Sequence, residues 1–561
     1  MTNSKFTIAA VAIAAAVTLT GCSKKLGQLK SDYFTTNPTP LEVVGDNVPA
    51  VVSAQIPAKY FVKNAVLTVT PVLESANGNT ATAASVTYQG ANVRANNPVI
   101  SYDNGGNMTI PATFPYTSDM ATSTLKLNFA VQQGKKSYTL PQVTVGNGVI
   151  ATATMADAAT VTAATASDAF QRIIADKYNA DILFLINQAN IRDNQLRSEA
   201  MTGLNKELQS ANADDRREIT EVNISSYASP DGSLDFNTKL AQNRETTTKT
   251  YMEKQLKGMT FGELTADFTP EDWEGFRRLV SESNIQDKEL ILSVLSMHKD
   301  PEEREREIHN LSHVFDQLAE EILPQLRYSR ITATINTIGK SDEEIAAAYA
   351  SDPSQLSVEE ILYYGSQVSD PAKKVEVYSK AASLYPTDYR TYNNLGKAQY
   401  AAGNYTDAKT ALNQAARLAP SAAEPQLNLG LVSMVNGDYN DAQSRFGNAA
   451  GLDEVKEALG VYYLKTGDNT AAANAMQGVS SNNAALAQIL TKDYSSAKRT
   501  LASINNPDAT TYYLTAVLGA RTNNENMITN NLRQAIKLDS SLATRAASDL
   551  EFSRFNLSGI L

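Results

Sequence analysis

Residues 222–251, VNISSYASPDGSLDFNTKLAQNRETTTKTY, carry the side chains best placed for binding chemistry. Val222, Ile224 and Tyr227 predict a short strand, Pro230-Asp231-Gly232 predicts a turn, and Asp235, Asn237 and Thr238 offer caps for a following helix. Leu240 and Tyr251 then fall at helical spacing, with Arg244 between them projecting elsewhere. A strand, a polar loop and a helix bearing an inward Arg can make a pocket for a carboxylate, with Ser229, Asp231, Asn237 and Arg244 as its candidate residues. The same residues allow a blander arrangement. Asp231 suits the turn acid of Pro-Asp-Gly, and Arg244 paired with Asp231 or Asp235 would be a structural loop clasp.

Other chemistry is poorly supported. His309 and His313 stand four apart, as do Glu305 and His309, so a helix would put them on one face. The stretch His-Asn-Leu-Ser-His lacks the Glu that a zinc peptidase uses as base, and no metal site is expected. With three His and one Cys, triads have almost no starting point, and no Gly-rich phosphate loop precedes a Lys-Ser/Thr pair. Neither catalysis nor a cofactor is expected. A net charge of −11 over 561 residues argues against nucleic acid, which requires concentrated Lys and Arg.

The elements around these residues begin with Lys5 and an apolar run at 6–19, short for a membrane span and built like a signal peptide. Leu19-Thr20-Gly21-Cys22 resembles the bacterial lipobox. That resemblance implies removal of residues 1–21, acylation of Cys22 (including palmitate) and a lipidated tether over 22–40. Several acyl chains anchor stably where one does not. Ser-Lys-Lys at 23–25, in place of the acidic cluster that resembles a surface-export signal in Bacteroidota-type bacteria, favours an outer-membrane position facing the periplasm.

Residues 41–155 are rich in Val, Thr, Asn and Gly, with strands expected at 65–72, 124–131 and 137–145 between Gly/Asn turns. A small β-sandwich follows, with Tyr60, Phe61, Tyr88, Tyr102 and Phe129 as core aromatics. The Ala/Thr run 151–166 reads as a linker or a fraying strand. Residues 156–340 then predict an α/β layer: a lead-in at 168–178, a buried strand at 181–187, a helix at 197–208, the stretch at 222–251, a helical insertion at about 257–328 and a closing strand at 328–338.

This segment resembles the OmpA-like domain, a periplasmic module that grips peptidoglycan. Tyr227, Gly232, Asn237, Leu240 and Arg244 match its pattern, whereas Ser226, Ala228, Ser229, Ala241 and Glu245 depart from it. The resemblance implies that Arg244 takes the carboxylate of diaminopimelate. Ser229 stands where the family's ammonium-binding Asp belongs.

After a linker at 341–356, residues 357–540 are Ala-rich and repeat. Tyr392, Leu395-Gly396, Gly403, Ala408, Leu412, Ala415 and Pro420 recur 34 residues later as Leu429-Gly430, Gly437, Ala442, Phe446 and Ala449. The spacing is that of the tetratricopeptide repeat, predicting five or six helical pairs and a groove for a peptide or protein partner. Asn393, Lys397, Tyr400 and Met434, with Leu427 and Leu431, are the candidate groove residues, and 541–561 form a tail. Together these features predict a Bacteroidota-like envelope lipoprotein serving as a non-catalytic scaffold for an envelope or outer-membrane protein partner. The alternative is a peptidoglycan tether.

Overall fold

The computed structural model describes residues 25–310 and 312–561, without the side chains at 312–314. The chain divides into two compact units. A host unit combines residues up to Ser167 with Val368–Leu561, and a central unit comprises Asp168–Gln367.

The host unit opens with a β-rich region. Its strands are β1 (Phe34–Asn37), β2 (Leu41–Glu42), β3 (Asn47–Ile56), β4 (Ala65–Ser75), β5 (Thr80–Thr82), β6 (Val86–Gly90), β7 (Val99–Ile100), β8 (Gly106–Pro115), β9 (Ser123–Gln133), β10 (Lys136–Asn147) and β11 (Val149–Ile150). One sheet has the order β1-β3-β8 and the other β10-β9-β4-β6-β7, with β5 beside β4 and β11 parallel to β2. Alternate residues are buried along β4 and β8, as the two-residue period of a strand requires. Val52, Ile110 and Phe114 from the first sheet join Leu67, Leu127 and Phe129 from the second in one core. The expected tether at 22–40 is corrected over its described part. Leu26 and Leu29 are buried, and β1 is hydrogen-bonded to β3, because these apolar residues find partners in the β-rich core.

The central unit contains β12 (Ile173–Leu183), α1 (Asp193–Leu196), α2 (Glu199–Asn212), β13 (Arg217–Tyr227), α3 (Leu234–Gln255), β14 (Phe261–Thr269), α4 (Trp273–Glu282), α5 (Lys288–Met297), α6 (Pro301–Asn310), α7 (Ser312–Glu321), β15 (Tyr328–Ile338), α8 (Asp342–Ser351) and α9 (Val358–Gln367). The sheet order is β12-β15-β13-β14. β13 and β14 run parallel, and the other two pairs run antiparallel. Met201, Leu204 and Leu208 of α2 and Met252 of α3 pack on Ile182, Val222, Ile224 and Ile331 of the sheet.

Several sequence boundaries move. The strand expected at 181–187 lies at Ile173–Leu183, and Leu185 and Ile186 are exposed in the loop beyond it. Residues 261–269, placed within a helical insertion at 257–328, form β14, so the insertion's helices begin only at Trp273. The linker expected at 341–356 holds α8, started by a capping box between Ser341 and Glu344. α9 belongs with α8 to the central unit, so the repeats begin after Gln367.

The repeats consist of α10 (Pro371–Leu384), α11 (Tyr389–Ala401), α12 (Tyr405–Leu418), α13 (Ala423–Val435), α14 (Tyr439–Asn448), α15 (Val455–Thr466), α16 (Asn469–Ala475), α17 (Asn482–Leu490), α18 (Tyr494–Ala502), α19 (Ala509–Arg521), α20 (Glu525–Leu538) and α21 (Ser541–Ser548). Five pairs run from α11/α12 to α19/α20. Gly396, Gly430 and Gly460 give their pairs room: a Cβ there would lie 2.5 Å from Leu412, 2.5 Å from Phe446 and 2.3 Å from Met476. Gly437 and Gly467 turn the chain with positive φ, and Asp438 and Asp468 then cap α14 and α16. The C-terminal tail is packed as well. Phe552 is buried beside Tyr513, and Glu551 pairs with Arg521 at 2.6 Å.

Candidate functional site

In the central unit, α3 turns Ala241, Arg244, Thr248 and Met252 inward. Arg244 is completely buried and donates to three main-chain carbonyls: Nη1 to Tyr227 at 2.8 Å, Nε to Gln188 at 3.0 Å and Nη2 to Leu185 at 3.3 Å. Its guanidinium lies 5.1 Å from the centre of the Phe184 ring. Burial, reinforced by the neighbouring Arg327, lowers its pKa to about 10, with Asp231 opposing the shift. The arrangement ties the loop after β12 to the end of β13.

The expected pairing of Arg244 with Asp231 or Asp235 is not what forms: Arg244 is taken up by carbonyls, and Asp231 pairs with Arg327, immediately before β15. Asp231 accepts from Arg327 Nη2 at 3.0 Å and from the Ser229 hydroxyl at 2.5 Å, while Arg327 Nε also donates to Ser229 Oγ at 3.2 Å. Asn237 closes the loop from the helix side, donating to Gly232 O at 2.8 Å and to Glu271 at 3.4 Å. The four residues singled out by sequence therefore lie near one loop, but they are held by protein groups. Arg327 was missed because nothing in its local sequence ties it to a loop almost a hundred residues earlier.

His309 stacks on Phe315 with ring centres 3.8 Å apart. No group of three or more His, Cys, Asp or Glu capable of holding a metal occurs among the described residues. The side chain of His313 and all of Cys22 lie outside them.

In the host unit the candidate groove residues meet the chain's own Ala/Thr run. Residues 151–167 form neither a strand nor a free linker. They make two short 3-10 turns, at Thr152–Met155 and Ala158–Thr160, and lie along the repeats as a strap. Asn428 accepts from Ala164 N–H at 2.7 Å and donates to Ala164 C=O at 2.9 Å. Asn394 treats Ala166 the same way at 2.9 and 2.9 Å, and Asn483 treats Asp157 the same way at 3.0 and 3.1 Å.

Asn393 adds a bond to Ala164 O at 3.2 Å, Lys397 donates to the Thr165 hydroxyl, and the Tyr400 hydroxyl donates to Ala158 O. Burial lowers the pKa of Lys397 and raises that of Tyr400. Met434, Leu427 and Leu431 are buried in a core that includes Ala158, Val161 and Ala164. The strap runs against the order of the repeats, with Ala166 at the first asparagine and Asp157 at the last. It ends at the tail, where Thr152 donates to Glu551 at 2.6 Å. Sequence reading missed the strap because a main-chain contact leaves no side-chain signature.

Residues 389–422 match the family model "Tetratricopeptide repeat" and span α11 and α12. No curated protein matches the chain. Among solved structures, the APC/C hetero-tetramer Cut9-Hcn1 is similar at 18% identity and a TM-score of 0.32, over 36% of this chain and 44% of that one. A tetratricopeptide repeat protein from Parabacteroides merdae shares 13% identity with a TM-score of 0.29, over 35% of this chain and 85% of that one. Pseudomonas aeruginosa pilF shares 16% with a TM-score of 0.29, over 38% of this chain and 99% of that one. The protein is a multidomain chain in which a β-rich N-terminal region is combined with a C-terminal tetratricopeptide-repeat solenoid, a non-catalytic class of module that mediates protein–protein interaction.

Proposed function

We propose that the protein is an outer-membrane lipoprotein, anchored through acylated Cys22 and facing the periplasm, that scaffolds other envelope proteins through its repeats. The repeat array, with its family match over 389–422, carries this reading. The lipobox-like Leu19-Thr20-Gly21-Cys22 supports the anchor, and the β-rich region, as a small sandwich, serves as spacer and dock. The central unit, read as OmpA-like with a helical insertion, acts here as a structural module. Its Arg244 is engaged by three backbone carbonyls and its Asp231 by Arg327, which counts against the competing peptidoglycan-tether reading.

Native purification from membranes in mild detergent tests the proposal. A stoichiometric protein partner is expected, and its absence overturns the scaffold reading. Retention of the soluble chain on purified sacculi, lost with Arg244→Ala while the variant stays folded, would install the tether in its place.

A further inference from the structure

The β-rich region carries its charges unevenly from end to end. At the end where β3 stops and β4 begins, residues 57–64 meet the loops at 91–98 and 101–105 and the turn between β9 and β10. With residues 25–29, these segments hold Lys25, Lys59, Lys63, Arg94, Lys135 and Lys136 against a single acid, Asp103. All of these side chains are exposed. The opposite end holds Asp46, Glu74 and Asp119, and there Asp46 accepts from the Tyr439 hydroxyl of the repeats at 2.9 Å. The whole chain has a net charge of −11, so its overall composition does not account for a basic end.

The basic end is also where the first described residues are fastened. The Leu26 N–H donates to the Tyr138 hydroxyl at 2.9 Å, the Tyr60 hydroxyl donates to Gly27 C=O at 2.6 Å, and Lys25 Nζ lies 5.5 Å from the centre of the Tyr138 ring. The Tyr138 hydroxyl donates on to Gln133 at 3.3 Å, and the Gln133 amide donates to Asn64 at 3.1 Å. Lys63 accepts at its C=O from Asn92 N–H at 2.8 Å and pairs with Asp103 at 2.9 Å. Separate segments thus form one continuous basic surface. Leu26 is buried, which fixes the chain four residues beyond Cys22. Four residues, fully extended, span no more than about 14 Å.

We propose that this basic end is a docking face for the anionic headgroups of a phospholipid bilayer. The proposal rests on the reading that Cys22 is acylated. Charge selects the occupant: Lys and Arg beside a membrane are drawn to anionic lipid, over a Debye length of about 8–10 Å. A link this short keeps the face close to that range, where a long tether would let it turn away. The repeats, in contact with the acidic end, are then held out from the bilayer.

The test uses the chain from Cys22 to Leu561, which keeps every described residue and has Cys22 as its sole thiol. Cys22 is coupled to a maleimide lipid in vesicles of phosphatidylcholine, alone or with an equal share of phosphatidylglycerol. Acetylation of lysines, read by mass spectrometry, reports which side chains the bilayer covers. Lys25, Lys59, Lys63 and Lys135 should react several-fold more slowly on the vesicles with phosphatidylglycerol, and high salt should remove the difference. Lys409, Lys498 and Lys537 of the repeats should react alike on both. Equal labelling of the basic end on the two kinds of vesicle overturns the proposal.

Lys59→Glu, Arg94→Glu and Lys135→Glu together should abolish the protection of Lys25 and Lys63. Lys409→Glu, Lys498→Glu and Lys537→Glu make the same change in net charge and should leave it intact. Protection that survives the first set, or is lost equally with the second, overturns the proposal. Palmitate labelling in cells judges the anchor separately. Its absence at Cys22 overturns the acylation reading, while the vesicle result, obtained with a chemical link, still judges the face.

Discussion

Asn428 holds Ala164 by both of its main-chain polar groups, accepting from the N–H at 2.7 Å and donating to the C=O at 2.9 Å. Its Nδ2 also reaches Asn393 Oδ1 at 3.0 Å, so one buried amide links the strap to two successive repeats.

Removing that amide should therefore unpair several buried groups together. Asn428→Leu, similar in size, is expected to cost about 2–4 kcal/mol, since each buried group left unpaired costs roughly 1–3 kcal/mol. Urea unfolding measures the loss. Limited proteolysis should show new cleavage between residues 151 and 167.

Arg244→Ala should destabilise the central unit by about 3–5 kcal/mol, because three carbonyl contacts and a filled buried volume disappear together. A residue whose task is to meet a ligand at an open surface would instead show a small effect. Calorimetry of the full chain, in which the central unit's transition shifts and the host unit's does not, checks this prediction.

The glycines that seat one repeat helix against the next should differ in tolerance. Gly430→Ala drives a Cβ to 2.5 Å from the rigid ring of Phe446, whereas Gly460→Ala meets the flexible end of Met476. Overpacking costs about 1–3 kcal/mol, so Gly430→Ala should lie near the top of that range and Gly460→Ala near the bottom. Thermal melts of the two variants rank them.

Asp119 accepts from Thr117 at 2.6 Å, Asn79 at 2.9 Å and Asn77 at 3.1 Å, and these bonds lower its pKa to about 2 from 3.8. A carboxylate with a depressed folded-state pKa stabilises the fold above its unfolded pKa and loses that contribution as pH falls through the folded one. The loss should fall between about pH 4 and pH 2. Asp119→Asn should flatten the decline of stability across that window, as acid titration of the melting temperature would show.

The repeats were legible because their packing is written in side-chain size. Gly396 and Gly430, and Leu412 and Phe446, recur at a fixed interval because helices can approach only where a small residue faces a large one. β14 was not legible. It lies at an edge of the central sheet, so Glu263, Thr265 and Asp267 alternate with little that is fully buried and give no apolar period. The loop at 229–237 was found as a group, but its true cation, Arg327, comes from the far end of the intervening helices. Asn393, Lys397 and Tyr400 stood out as candidate groove residues, and the structure sets them against residues 158–165 of the same chain. That occupant was not legible, since an Ala/Thr run without periodicity reads equally well as linker.

The strap also sets a timetable. Ala164 precedes Asn428 by 264 residues, Asp157 precedes Asn483 by 326 and Thr152 precedes Glu551 by 399, with the whole central unit synthesised in between. At about 5–20 residues per second, the wait from Thr152 to Glu551 is on the order of tens of seconds. During this interval the first-made part of the host unit exists without its other half. Each of these contacts therefore waits on a residue made well after its strap partner, and loss of Glu551 should loosen the strap at Thr152.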